Sequence, residues 1–221
     1  CQAGRYQVNT GQSSCTQCAT AKYTAGNVAW ATTQNTAPTG TNGGLRSTGG
    51  GWGTAYATST QKITSAADTV RNGVRFQFDA SSTSDEMIGL SCGSFTMQQL
   101  IYDTGACYFA IYKRFDDPVR IRTPEHTLHT PSPRIVADWG NDVFEIRLRS
   151  SDSKVEFVRN NAVFATSANV IPTYPVYIQP GFSSGGNDVI DLVQWLGGCE
   201  AGSWSDSHCQ ASCALCVKGK Y

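Results

Sequence analysis

"DVFEIRLRS", residues 142–150, sets Phe144, Ile146 and Leu148 on one side of an extended chain and Glu145, Arg147 and Arg149 on the other. Successive side chains of a β-strand point to opposite faces, so this alternation describes a strand with one face buried and one in water. "GVRFQFDA", residues 73–80, repeats the pattern with Val74, Phe76 and Phe78. "KVEFVRNNAVFATS", residues 154–167, reads as two strands around an Asn160-Asn161 turn, because asparagine tolerates the left-handed backbone of a tight hairpin. "CYFAIYKR" (107–114), "YPVYIQ" (174–179) and "NDVIDLVQW" (187–195) add further short strands, and no stretch makes a convincing amphipathic helix. The fold class is all-β. Two packed antiparallel sheets are the usual way to hide so many apolar faces.

The chain has 221 residues, enough to bury a full core, and 17 Lys and Arg balance 17 Asp and Glu. That balance leaves no net field to hold a polyanion, so nucleic acid is not an expected partner. No apolar run approaches the roughly 18 residues of a membrane-spanning helix, and no membrane span is expected. Nine cysteines, several closely paired, point to an oxidising, extracellular or cell-surface setting. No signal peptide precedes Cys1, which fits a mature chain or a fragment of a longer one.

The two ends repeat each other. Residues 1–23, "CQAGRYQVNTGQSSCTQCATAKY", align without a gap on residues 199–221, "CEAGSWSDSHCQASCALCVKGKY". Cys1, Cys15 and Cys18 fall on Cys199, Cys213 and Cys216, Gly4 on Gly202, Tyr6 on Trp204 and Tyr23 on Tyr221. Each end reads as a small module with little core, held by cross-links, which divides the chain into modules at 1–23 and 199–221 around a β-sandwich at 24–198. C-x-x-C also suits zinc, but a structural zinc site needs four ligands, and His126 and His129 lie away from these pairs. Cys92 and Cys107 stand apart from the ends and can bridge neighbouring strands of the sandwich.

The terminal pattern, C-x-x-G-x-Y followed by C-x-x-C and a second C-x-x-G-x-Y, resembles ephrin-receptor-like cysteine-rich repeats. That resemblance implies Cys1–Cys15 and Cys199–Cys213 bonds. Cys18, Cys209 and Cys216 then remain: a Cys18–Cys209 bond would tie the ends together, and Cys216 is left for a partner beyond the chain shown. The central strands resemble the jelly-roll sandwich of concanavalin A-like lectins and glucanases, with SPRY-type and laminin-G-type relatives. The residues that carry it are "NVAW" (27–30), "GGGWGTAYATS" (49–59), "EMIGLS" (86–91), "WGNDVFEIRL" (139–148), "VEFVRNNAVFATS" (155–167) and "NDVIDLVQW" (187–195). In such folds the terminal strands are neighbours in one sheet, which would bring the two end modules to one region.

Glucanases of that superfamily carry E-x-D-x-x-E on one strand, aiming carboxyls at the substrate, and retaining cleavage needs two of them roughly 5 Å apart. No such string occurs. Asp142 and Glu145, like Asp188 and Asp191, have an odd spacing that puts them on opposite faces of a strand. The histidines suggest no triad: His126 and His129 flank the Pro-rich "TLHTPSPR", and His208 lies inside a terminal module. The glycine-rich "TGTNGGLRSTGGGWGTAY" lacks the following helix of a nucleotide cradle. The chain is therefore expected not to be an enzyme.

Carbohydrate binding is the functional chemistry the lectin resemblance implies. Trp52, Tyr56 and Trp139 are candidates for stacking on sugar rings, and Asn141 or Asp142 for contacts to hydroxyls or calcium. Asp85, Glu86, Asp116 and Asp117 could also gather oxygens around calcium, with no other cofactor expected. No Asn-x-Ser/Thr occurs, while "ATTQNTAPTGT" (31–41) and the Pro-Ser-Pro at 131–133 offer O-linked positions. The leading expectation is a non-enzymatic structural unit of a disulfide-stabilised fibre or surface appendage, whose partners are copies of itself or neighbouring repeats. In architecture it resembles extracellular fibre proteins of protists and algae, such as those of flagellar hairs. The alternative is a lectin-like adhesion module that binds glycans.

Overall fold

Val74, Phe76, Phe78, Phe144, Ile146 and Leu148, the residues that alternation turns inward, are all buried and meet a second set from a second sheet. The computed structural model of the chain describes residues 5–6, 16–17, 24–40, 42–65, 72–93, 106–114, 118–149, 151–183, 186, 188–196, 203–204 and 214–215. For residues 5–6, 16–17, 24–25, 126–127, 203–204 and 214–215 it describes the backbone alone. In chain order the strands are β1 (Arg5–Tyr6), β2 (Thr16–Gln17), β3 (Thr24–Asn27), β4 (Trp30–Gln34), β5 (Thr36–Thr39), β6 (Gly44–Ser47), β7 (Tyr56–Ser59), β8 (Lys62–Ile63), β9 (Gly73–Phe78) and β10 (Glu86–Ser91). They continue with β11 (Tyr108–Lys113), β12 (Arg120–Thr123), β13 (His126–His129), β14 (Phe144–Leu148), β15 (Lys154–Arg159), β16 (Ala162–Val170), β17 (Val176–Phe182), β18 (Val189–Leu196), β19 (Ser203–Trp204) and β20 (Ala214–Leu215). Every described element is a strand or a turn, and no helix among the described residues is long and apolar enough to cross a membrane.

One eight-stranded sheet runs β13-β12-β11-β10-β17-β7-β4, with β8 also on β17; the other runs β16-β15-β14-β9-β18-β6-β5, with β3 also on β18. All pairings are antiparallel. Between the sheets Ile88, Leu90, Phe109, Ile111 and Ile178 face Phe76, Phe144, Ile146, Phe157 and Trp195. Phe76 stacks on Phe144 at 6.0 Å and meets Phe78 edge-on at 5.2 Å. Such ring pairs add about 0.5–1.5 kcal/mol each beyond the area they bury. The hairpin of β15 and β16 turns at Asn160 and Asn161, whose φ angles of 48° and 68° are both left-handed, as the two-residue turn requires.

Cys92 and Cys107 form a disulfide directly after β10 and before β11, extending the Ser91–Tyr108 pairing by one residue. Cys1, Cys15, Cys18, Cys199, Cys209, Cys213 and Cys216 lie outside the described residues, as do His208, Asp116 and Asp117. Within the terminal segments, Arg5 pairs with Gln17 and Tyr6 with Thr16, while Ser203 pairs with Leu215 and Trp204 with Ala214. These are the same positions of the two aligned repeats, in the same register.

Candidate functional site

The face of the first sheet turned away from the core carries an apolar cluster of its own. Met87, Tyr108, Ala110 and Tyr112 are buried there, with Trp52, Tyr56, Ala106 and Leu128 packed against them. Register explains the grouping, because residues directly opposite in antiparallel strands share a face. Tyr56 on β7 pairs with Gly181, Gly181 with Met87, Met87 with Tyr112 and Tyr112 with Arg120, so these five form one row across the sheet.

Trp52 joins this row from the glycine-rich turn before β7. Thr54 and Ala55 donate their N–H groups to the Gly51 carbonyl, and Gly53, with φ of 94°, supplies the left-handed residue that the tight turn needs. A side chain at position 51 would come within 2.8 Å of the Ser183 carbonyl, so glycine lets the turn lie close on the end of β17. The Trp52 ring is thereby stacked on Tyr112, with centroids 6.1 Å apart and planes inclined by 30°.

Asp85 completes the group. Its N–H donates to Ser183 Oγ at 3.0 Å and its carbonyl accepts from Ser183 N at 2.9 Å, which fixes the backbone at the mouth of β10. The Tyr112 hydroxyl donates to Asp85 Oδ2 at 2.5 Å. Burial, and then this donation to a carboxylate, hold the Tyr112 hydroxyl in its protonated form well above the usual phenol range. Asp85 is half-buried, so its carboxylate sits at the hydroxyl end of Tyr112.

Beneath this face, on the core side of the same strands, lies a polar cluster. Glu86 and Lys113 are Cα partners on β10 and β11, 0% and 1% exposed, with Lys113 Nζ 3.2 Å from Glu86 Oε2. Nζ also donates to the carbonyls of Asp79 at 2.6 Å and Ser82 at 3.2 Å. Ser82 Oγ lies 2.7 Å from Glu86 Oε1 and 2.8 Å from Asp188 Oδ1, joining the two sheets at this end. An ammonium thus pins the loop between β9 and β10 that delivers Asp85. Asp85 and Glu86 face opposite sides of the strand and do not converge on a common point, and no group of three potential metal ligands occurs among the described residues.

Of the residues singled out from sequence, Trp52 and Tyr56 come together on this face. Trp139 instead packs edge-on against Phe78 at 5.5 Å and against Phe144 at 5.8 Å, closing the end of the core. Asn141, in the same turn, is exposed and donates to Asp138 Oδ2. Asp142 is buried and held by Arg159 at 2.7 Å and Asn160 at 2.6 Å. Glu145 accepts from Arg75 Nε at 2.7 Å and Arg147 Nε at 2.6 Å on the outer face of the second sheet. Asp188 enters the Ser82 cluster while Asp191 stays exposed. Tyr112 was visible as the last aromatic of "CYFAIYKR", on the face opposite Phe109 and Ile111. Its meeting with Trp52 depends on strands far apart in the chain.

No protein-family model matches the chain, and no curated protein matches it in sequence. Solved structures do match in shape. The TRIM65 PSpry domain superposes with a TM-score of 0.55 at 10% identity, covering 77% of this chain and 92% of that one. A human SPRY domain gives 0.52 at 11% identity, covering 77% of this chain and all of that one. The fold is a concanavalin A-like sandwich. The winged bean acidic lectin complexed with methyl-alpha-D-galactose is also similar, at a TM-score of 0.46 and 12% identity, over 73% of this chain and 88% of that one. Within this concanavalin A-like sandwich the Trp52 face lies on the first sheet, opposite the side that packs on the second.

Proposed function

We propose that the sandwich is a non-enzymatic binding module of an extracellular or cell-surface protein, and that it takes a sugar ring of a glycan on the Trp52–Tyr112 face. The observation that carries this reading is the stacked aromatic pair with the Asp85 carboxylate at its edge. Aromatic faces pack on the apolar C–H side of a pyranose, and a fixed carboxylate oxygen accepts its hydroxyls, so the two together orient one ring. Tyr112 holds one oxygen of Asp85, which limits the rotation the carboxylate would lose on binding. Tyr56, half-buried in the same row, extends the platform.

A glycan panel followed by titration calorimetry on the best ligand tests the reading. Trp52→Ala is expected to weaken that ligand about tenfold or more, a loss of roughly 1.4 kcal/mol, with Asp85→Asn acting in the same direction and the thermal midpoint largely kept. If the wild type binds no member of the panel, or if Trp52→Ala binds as well as wild type, the reading fails.

A second reading, the structural unit of a disulfide-stabilised fibre, draws on the terminal segments. Equivalent positions of the two repeats form the same backbone pairing, which suits a module recurring along a longer chain. Non-reducing intact mass and electron microscopy of the native material test it: filaments or a ladder of multiples support it, and a single monodisperse particle of this mass overturns it.

A further inference from the structure

The charges of this sandwich are distributed in reverse of what isolated sheets need. Natural sheets protect the open rows of N–H and C=O groups on their outermost strands with lysines and other charges, because an unprotected edge pairs with any strand that reaches it. Here the outermost strands of the two orders are β13, β4, β16 and β5, and none contains Asp, Glu, Lys or Arg. Of the ten strands between them on those paths, all except β7 and β17 carry at least one such residue.

β16 is the longest of the four. β5 contains Pro38, which removes a donor, β13 is four residues long and β4 five, and the registers of β13, β4 and β16 on their neighbours all carry shifts, one of those in β16 falling at Phe164. β16 runs nine residues, "AVFATSANV", with Val163 49% and Val170 45% exposed. Its C-terminal part is covered: Glu125, from the turn between β12 and β13, accepts the N–H groups of Ala168 and Asn169 at 3.1 and 3.3 Å. Among the described residues that leaves Ala162–Thr166, about the length of an ordinary strand, rich in β-branched and aromatic residues and without charge.

We propose that Ala162–Thr166 of β16 pairs antiparallel with the same segment of a second copy of this chain, joining two sandwiches edge to edge about a two-fold axis. The occupant follows from the charge pattern. A neutral strand meets itself with no like charges opposed across the ladder, and an isologous pairing needs only this one surface to be self-complementary. A strand from a different protein needs no such neutrality in its partner, since opposite charges would select it better. The inference is independent of the ligand assigned to the Trp52 face, which lies on the other sheet.

Sedimentation velocity on the full chain over a wide concentration range tests it, with non-reducing gels to set aside disulfide-linked species. Amide hydrogen exchange at low and high concentration locates the contact. Wild type is expected to pass from monomer to dimer as concentration rises, with added protection at residues 162–166. Val163→Lys/Thr166→Lys changes two exposed positions and should keep the thermal midpoint while weakening association about tenfold or more. A wild type that stays monomeric throughout, a dimer indifferent to the two lysines, or protection gained elsewhere would each overturn the proposal.

Discussion

Lys113→Met should lower the free energy of unfolding by about 2–5 kcal/mol, the cost of leaving the hydrogen-bond acceptors around a buried ammonium without their donor. Methionine matches the length of the lysine stem, so the change isolates the ammonium from the packing. That buried ammonium holds the Asp79 and Ser82 carbonyls and Glu86 Oε2. Its loss leaves the buried Ser82 carbonyl and Glu86 Oε2 and the half-buried Asp79 carbonyl without this donor, at a cost of about 1–3 kcal/mol for each buried acceptor. Urea unfolding at neutral pH measures the change. The double variant Lys113→Met/Glu86→Leu should recover part of the loss, because apolar groups replacing both partners leave fewer unmet hydrogen bonds. A single-variant cost below about 1 kcal/mol would mean that the cluster organises nothing. The consequence reaches the ligand face, since the loop pinned by Lys113 delivers Asp85 to Tyr112: glycan affinity should fall in Lys113→Met even under conditions where the protein remains folded.

Local alternation revealed the layers of this molecule because period two is written in neighbouring residues. Phe144, Ile146 and Leu148 declare their face without help from the rest of the chain, and so do Val74, Phe76 and Phe78. The Asn160-Asn161 turn is equally local. Lys113 shows the limit of that signal. Alternation in "CYFAIYKR" does place it with Phe109 and Ile111 on the inner face, yet hydrophobicity argues for water, and only the carbonyls of a loop some thirty residues earlier make the inner position tolerable. The Trp52–Tyr112 contact is less legible still, since it needs the register of β7 on β17, β17 on β10 and β10 on β11 all at once. Trp139 carries the opposite lesson. Its composition suits a sugar platform as well as Trp52 does, and its placement on Phe78 and Phe144 is decided by which core lies under its loop.

Glu86→Gln should remove a pH dependence that the wild type shows, and should do so without a large loss of stability. Ser82 has one hydroxyl hydrogen and two carboxyl oxygens within 2.8 Å, so it can donate to only one of them. The other contact is satisfied if Glu86 keeps its proton and donates to Ser82 Oγ, which then donates to Asp188. Burial pushes the Glu86 carboxyl up to about 8, against the opposing pull of Lys113 and Ser82 and with a smaller push from Asp188. The sign follows from proton counts. Between about 4.5, the ordinary value, and about 8, the native state holds a proton that the unfolded chain has released. Stability is therefore highest below that window, falls as pH rises through it with a slope approaching 1.4 kcal/mol for each pH unit, roughly, and levels off above it. Glutamine reproduces the protonated pattern, its carbonyl accepting from Lys113 and its amide donating to Ser82. Unfolding free energies of both proteins from pH 5 to 9 should thus differ by a curve that rises in favour of Gln as pH increases, with Gln at least as stable as wild type at the alkaline end. If Glu86 is ionised at neutral pH instead, the same substitution breaks a buried ion pair and costs about 3–5 kcal/mol at every pH above 5, which makes the two protonation states separable in one series of measurements.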